Sequence, residues 1–286
     1  MEESAKLVYK EKRTKHKIGW YIGAALMLAG AVIMILPLYW MIMSSFKGQT
    51  ELLQMPPTMY PHEFIVTNFQ RVLESIPFIR YYANSVGTSL LNTVVGVFTS
   101  AIIGFTFAKY RFKGRDIVFF IILAFMMIPY DTLMIPLYKL MANMHLTNSY
   151  FVLTVPYFCN IFGMFLMRQF YLDLPDDYLE AAEADGCGHF KRFLTIAFPM
   201  AKPMMAALFI YLFMASYNSY LWPLISVSSR RLFTLTVGIG AFFNDRGTQT
   251  DLIMAASTMM IIPVVIIFAI AQKNFVEGMT MGGVKG

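Results

Sequence analysis

The sequence predicts an all-α polytopic membrane protein with six transmembrane helices, and three observations carry that prediction. Of 286 residues, 57% are apolar or aromatic and 14% are charged, against about 25% charged in a soluble domain. Six stretches are long and apolar enough to cross a bilayer, which takes about 20 residues of helix. The basic residues fall unevenly on alternate connections, and that asymmetry sets an orientation. A soluble enzyme of this size cannot hide so much apolar surface behind so few charges.

The stretches are, in order, Gly19–Met43, Tyr81–Ala108, Ile117–Leu137, Tyr150–Met167, Pro203–Val227 and Leu252–Gln272. Within them the only acidic or basic side chain is Asp131, near the far end of the third. In lipid the backbone must satisfy its own hydrogen bonds, so each is read as a helix; a β-barrel would show alternating segments of about 10 residues. The first is far longer than the 7–15 apolar residues of a typical signal peptide, and no small-x-small site follows, so it is read as a retained span. Pro129, Pro156, Pro223 and Pro263 predict kinks, each freeing a carbonyl that a neighbour must satisfy.

Sixteen of the 23 Lys and Arg residues lie on one side: the N-terminal arm, Lys109–Arg115, Arg168–Lys202 and the tail. By the positive-inside rule that side is cytoplasmic, and both termini lie there. The net charge of +6 is thus a topology signal, and nucleic acid is not an expected partner. The expected organisation is a cytoplasmic arm (1–17), a six-helix domain (18–274) and a cytoplasmic tail (275–286). Cys159 and Cys187 suggest no disulfide, and His16, His62, His145 and His189 are too scattered for a metal site.

Two polar groups lie within the spans. Span two carries Ser85, Thr88 and Asn92, followed by Gly96, Ser100 and Gly104 at four-residue spacing. The latter series favours close helix packing; the whole stripe reads either as packing or as a pore-lining face. Tyr217-Asn218-Ser219-Tyr220, placed inside span five, offers amides, hydroxyls and aromatic faces suited to a sugar. Trp222 and the other Tyr residues read equally well as membrane-interface anchors. Asp131 is either a headgroup-level residue or a polar group at the outer mouth of a path.

The cytoplasmic connection 172–202 is long for a helix hairpin. Asp177 and Glu180 suggest a capping-box start, Glu180-Ala181-Ala182-Glu183-Ala184 favours helix, and Gly186 suits a left-handed stop. A second short amphipathic piece, Phe190–Ile196, leads to Pro199. The first helix is acidic, with Asp173, Asp176, Asp177, Glu180, Glu183 and Asp185, which repels phosphate and excludes DNA reading. Two readings remain: a solvated loop on the inner leaflet, or a rigid knob that fits a cleft in a cytoplasmic partner.

Glu180-Ala181-Ala182, three residues, Gly186, nine residues, Ile196, two residues and Pro199 resembles the EAA motif of ABC-importer permeases, with Phe198 where that family usually has Leu. The ending from Gln272 to Gly286 resembles that of carbohydrate-importer permeases, particularly the maltose-type second subunit. Arg80-Tyr-Tyr-Ala-Asn-Ser85 and Ile128-Pro129 with Ile135-Pro136-Leu137 are similar to the same subfamily. The resemblance implies the type I importer fold and a heterodimer with a similar second permease. It also implies two cytoplasmic ATPase subunits that bind ATP and Mg, an external sugar-binding protein, and residence in a prokaryotic plasma membrane. By the same resemblance Glu180, Ala181, Ala182, Glu183, Asp185, Gly186, Ile196 and Pro199 couple to the ATPases. Gly283, Val284, Lys285 and Gly286 reach the ATPase interface, and the loop 228–250 meets the binding protein. Ser85, Thr88, Asn92, Asp131, Tyr217, Asn218 and Tyr220 are the candidates for the substrate path.

The chain does not power itself. Gly278 to Gly283 is the nearest approach to a Walker motif, but Val284 replaces the required Lys. No nucleophile–base or metal-ligand pattern appears, so no catalytic residue and no resident cofactor is expected. The rival readings are an ion-coupled secondary transporter, which one marginal carboxylate serves poorly, and an ABC importer permease for a non-sugar substrate.

Overall fold

The computed structural model describes residues 2–244 and 247–281. It is helical: α1 (Glu2–Ser44), α2 (Gln49–Leu52), α3 (Thr67–Ser75), α4 (Phe78–Lys109), α5 (Arg115–Ala124), α6 (Tyr130–Asn143), α7 (Tyr150–Thr154), α8 (Ile161–Leu172), α9 (Asp177–Ala184), α10 (His189–Arg192), α11 (Phe198–Met200), α12 (Lys202–Tyr217), α13 (Leu221–Ser226), α14 (Leu235–Ile239) and α15 (Thr250–Met281). Two two-residue strands, Phe243–Asn244 and Gly247–Thr248, are the only extended elements among the described residues. Four helical stretches qualify as spans by length and apolarity: Trp20–Ser44, Phe78–Lys109, Tyr150–Leu172 and Thr250–Ile270. Two bent pairs qualify jointly, Arg115–Met127 with Tyr130–Asn143 at 103° and His189–Met200 with Lys202–Tyr217 at 80°.

The bend at Pro129 and a break after Tyr217 depart from the expected continuous spans three and five, and proline chemistry explains how the chain accommodates them. Ile128 precedes Pro129 and is forced out of the helical region, to φ −87° and ψ 117°. Further on, α12 stops at Tyr217 and α13 starts at Leu221, so Asn218 to Tyr220 form a break rather than the interior of a helix. Pro223 has no amide to give the carbonyl four residues back, and the Thr236 hydroxyl donates to that Ser219 oxygen instead, at 2.7 Å. Likewise Pro156 leaves the Val152 carbonyl open, and the Trp222 indole donates to it at 2.8 Å. Trp222 is therefore wholly buried and is not an interface anchor.

The chain divides into two compact units, residues 1–72 with 245–258 and residues 73–244 with 259–286. In the first, the window of α1 apolar enough to span buries none of its residues within the chain, and Trp20, Met27, Ile33 and Met34 face outward. An all-round apolar helix of this kind belongs in lipid or against another subunit. Beyond it the chain turns on a polar lock. The Asn68 side-chain amide donates to the Ser45 and Lys47 carbonyls at 3.0 and 2.8 Å, and the buried Lys47 ammonium lies 4.4 Å from the Trp40 ring centre. Arg71 pairs with the buried Asp251 carboxylate at 2.7 Å.

The second unit is built on α4, which packs against α8 and α12. Small residues set the distance of approach. A Cβ on Gly104 would lie 2.7 Å from the Arg168 amide nitrogen and from the Met167 Cβ, and one on Gly163 would collide with Ser100. This is the close packing expected of Gly96, Ser100 and Gly104. Around it Val97, Ala101, Phe105, Met167, Tyr171, Leu208 and Leu212 form the main core, which continues through Leu179 and Phe193 into the connection after α8. A smaller core joins Met141, Val152, Leu153, Trp222 and Val227.

Candidate functional site

The connection 172–202 folds as two short helices around a glycine turn. Helix α9 begins at Asp177 with Asp176 as its N-cap, and no side chain caps it, so the expected Asp177–Glu180 box does not form. Its other end follows sequence chemistry closely. Gly186 sits at φ +76°, its amide donates to the Glu183 carbonyl at 2.9 Å, and the Cys187 amide donates to Ala182, also at 2.9 Å. These two bonds are a Schellman stop, which needs the left-handed residue that glycine supplies most easily. Next come α10, one π-helical turn over Phe193–Ala197, and α11. That turn ends just before Phe198-Pro199.

Helix α9 has two distinct faces. Leu179 and Ala182 are buried against the body, whereas Glu180, Ala181, Glu183, Asp185 and Gly186 are exposed. The structure thus separates the two alanines of the motif: Ala182 packs the helix down and Ala181 faces out. Ile196 is half-buried and Pro199 exposed, both on the returning segment. The face turned outward is small and acidic.

Residues outside the motif pin the helix at both ends. The Lys109 ammonium, at the last residue of α4, donates to the Leu174 carbonyl at 2.5 Å and to the Asp176 carboxylate at 2.6 Å. The Lys109 side chain is 8% exposed. At the opposite end Arg192 pairs with Glu183 at 2.6 Å and lies 2.7 Å from the His189 ring nitrogen Nδ1. The Tyr110 ring meets His189 edge-to-face, with centroids 5.0 Å apart. Burial raises the Tyr110 phenol above its usual range, the Arg192 charge opposes that shift, and Glu183 adds to it. Between these anchors lies an open cavity of about 360 Å³, lined by Lys109, Tyr110, Asp176, Glu180, Glu183 and Arg192 among others. Sequence reasoning missed Lys109, Tyr110 and Arg192 as anchors. The available signal was a lone Lys directly after the uncharged stretch Tyr81–Ala108.

The proposed path residues divide sharply. Ser85, Thr88 and Asn92 are buried and already bonded within the chain. Ser85 Oγ accepts from the Leu235 amide at 2.7 Å, the Thr88 hydroxyl donates to the Asn84 carbonyl at 2.7 Å, and the Asn92 amide donates to Leu153 O at 3.0 Å and Ser216 Oγ at 2.9 Å. Tyr217 is buried, stacked on Phe213, and donates to the Met260 carbonyl at 2.9 Å. Only Asp131, Asn218 and Tyr220 are exposed. The tail residues Gly283, Val284, Lys285 and Gly286 lie outside the described residues.

Neither cysteine is paired, and among the described residues no group of His, Cys, Asp and Glu could hold a metal.

A family profile described as "Binding-protein-dependent transport system inner membrane component" matches residues 96–281. The arabinooligosaccharides transport system permease protein AraQ of Bacillus subtilis (strain 168) is 36% identical over 260 residues, covering 90% of this chain and 92% of its own. The inner membrane ABC transporter permease protein YcjP of Escherichia coli (strain K12) is 31% identical over 279 residues, 96% and 99% of the two chains. The sn-glycerol-3-phosphate transport system permease protein UgpE of Yersinia pestis is 30% identical over 262 residues, 89% and 93%. Among solved structures, a bacterial ABC transporter involved in the import of the acidic polysaccharide alginate matches with a TM-score of 0.79 at 23% identity, over 91% of this chain and 97% of that one. The last likeness speaks for the fold.

Proposed function

This chain belongs to the family of binding-protein-dependent transport system inner membrane components, and on that footing we propose that α9 is the knob through which ATPase subunits drive it. The protein is the permease of a binding-protein-dependent ABC sugar importer, a transport subunit and not an enzyme. The sugar assignment draws on the arabinooligosaccharide relatives. Such a permease works with ATPase and substrate-binding subunits.

The chain crosses the membrane six times, with α5 and α6 as one bent span and the fifth span beginning at Lys202 after the knob, and both termini are cytoplasmic in the plasma membrane of a prokaryote. The chain pairs with a similar second permease, and two cytoplasmic ATPases bind ATP and Mg. Glu180, Ala181, Glu183, Asp185 and Gly186 meet an ATPase cleft, while Ala182, Ile196 and Pro199 hold the knob in shape. Residues 283–286 run to the ATPase interface, and Asp131, Asn218 and Tyr220 face the sugar's path. Nucleotide-driven closure moves the knobs of the two permeases together and turns the path outward.

The observation that carries this reading is the two-faced α9: an underside packed through Leu179 and Ala182 and pinned by Lys109 and Arg192, and an exposed face carrying Glu180, Ala181, Asp185 and Gly186. A rigid protrusion whose polar groups are bonded on one side only is what docking requires. The test is a disulfide or short bifunctional crosslink from Ala181→Cys, with Cys159 and Cys187 replaced by Ser, in the complex purified from membranes. Crosslinking to the ATPase subunit is expected. An Ala181→Cys site that stays freely reactive and uncrosslinked while the ATPase co-purifies overturns the proposal.

A further inference from the structure

We infer that α4 is a strut that transmits the nucleotide state from the α9 knob to the segment 228–240, with Lys109 and Asn84 as its two positioning residues. The inference rests on the reading of α9 as the ATPase-facing knob.

Helix α4 runs 32 residues without interruption, about 48 Å at 1.5 Å per residue. Every other candidate span contains a proline: Pro37, Pro136, Pro156, Pro199 or Pro263. Proline removes a backbone bond and kinks a helix, so α4 is the stiffest of the set. Its flanks are held without slack, because Gly104 and Gly163 bring α8 into backbone contact with it.

Both ends are bonded to segments far away in sequence. At one end Lys109 holds Leu174 and Asp176, on the approach to α9. At the other the Asn84 side-chain amide donates to the Arg231 and Phe233 carbonyls at 2.9 and 3.0 Å, and its oxygen accepts from the Tyr150 hydroxyl at 2.9 Å. One residue on, Ser85 takes the Leu235 amide. Tyr81 completes the seat: its ring lies 5.9 Å from the Phe233 ring and so close to Gly238 that any Cβ there would collide with it. Asn84, Ser85 and Tyr81 are all buried, so these bonds are not competed for by water. A stiff element bonded at both termini moves the two segments as one body.

The experiment is hydrogen exchange on the whole complex, with and without trapping of its ATPases by ATP, Mg and vanadate. In the wild type, trapping is expected to change exchange in peptides covering 176–187 and also 228–240. In Lys109→Met the response at 228–240 is expected to shrink about tenfold relative to the response at 176–187, with Lys109→Arg restoring most of it. In Asn84→Ala the knob peptide still responds and 228–240 does not. The double variant is expected to be no worse than the worse single one, since a strut cut twice is cut once; independent local defects would add. An undiminished response at 228–240 in either single variant overturns the strut. A wild-type complex whose 176–187 peptides ignore vanadate trapping overturns the knob reading itself, and the strut with it.

Discussion

Helix α9 and the polar stripe of α4 look alike in sequence, small and polar residues at helical spacing, yet the structure puts them to opposite uses. On the stripe, Ser85 and Thr88 are buried and bonded to this chain's own backbone, and Asn92 commits its amide nitrogen to Leu153 and Ser216 while its Oδ1 accepts no bond. On α9 Leu179 and Ala182 are spent on the body and Glu183 on Arg192, while Glu180, Ala181 and Asp185 stay exposed. The difference teaches where to look for a partner. A polar group satisfied inside its own chain positions helices, whereas one left facing out on a pinned scaffold is available for recognition.

The sharpest test is Gly186→Asp. Aspartate tolerates the left-handed conformation better than most residues, and a Cβ at this position meets nothing within 4 Å. A side chain at φ +76° is strained, but α9 stays held by Lys109 and Arg192, so the complex assembles and uptake of sugar in cells is abolished. Normal uptake would erase the contrast between the two helices.

Next in size is Gly163→Val, which forces a branched side chain against Ser100. Overpacking of this kind costs about 1–3 kcal/mol, so the thermal midpoint and yield of the complex fall. Transport per folded complex should change far less than in Gly186→Asp. Asn92→Leu removes the bonds to Leu153 and Ser216 and leaves a buried carbonyl without that donor, at a cost of about 1–3 kcal/mol. A thermal-shift assay with uptake normalised to protein checks it. Lost uptake at unchanged stability would return Asn92 to the path and break the comparison. The smallest effect belongs to Asp176→Asn. Its carboxylate is 68% exposed, and exposed ion pairs contribute about 0–1 kcal/mol, so the melting temperature hardly moves.

Much of the architecture was legible because membrane insertion is written in composition. Long uncharged runs locate helices, and Gly186 followed by a change of pattern locates the end of α9. The breaks were less legible. Pro129 and Pro223 signal kinks, but how far the chain turns depends on which distant group accepts or donates in place of the lost bond, here Thr236 for Ser219. The knob's anchors were hidden for a related reason. Lys109 and Leu174 are 65 positions apart, and nothing local to either announces the other. The stripe left packing and pore lining both open, because polar periodicity reports which face a residue occupies, not whether its bonding capacity is already used.

The pairing of Pro156 with Trp222 carries a genetic consequence. A residue other than proline at 156 would restore an amide able to serve Val152, and the indole at 222 would then be dispensable as a donor. Loss of Trp222 alone, to phenylalanine, leaves that oxygen bare, and reversion should turn up at 156 as readily as at 222. Two sites on different helices would thus behave in a suppressor screen as a single locus.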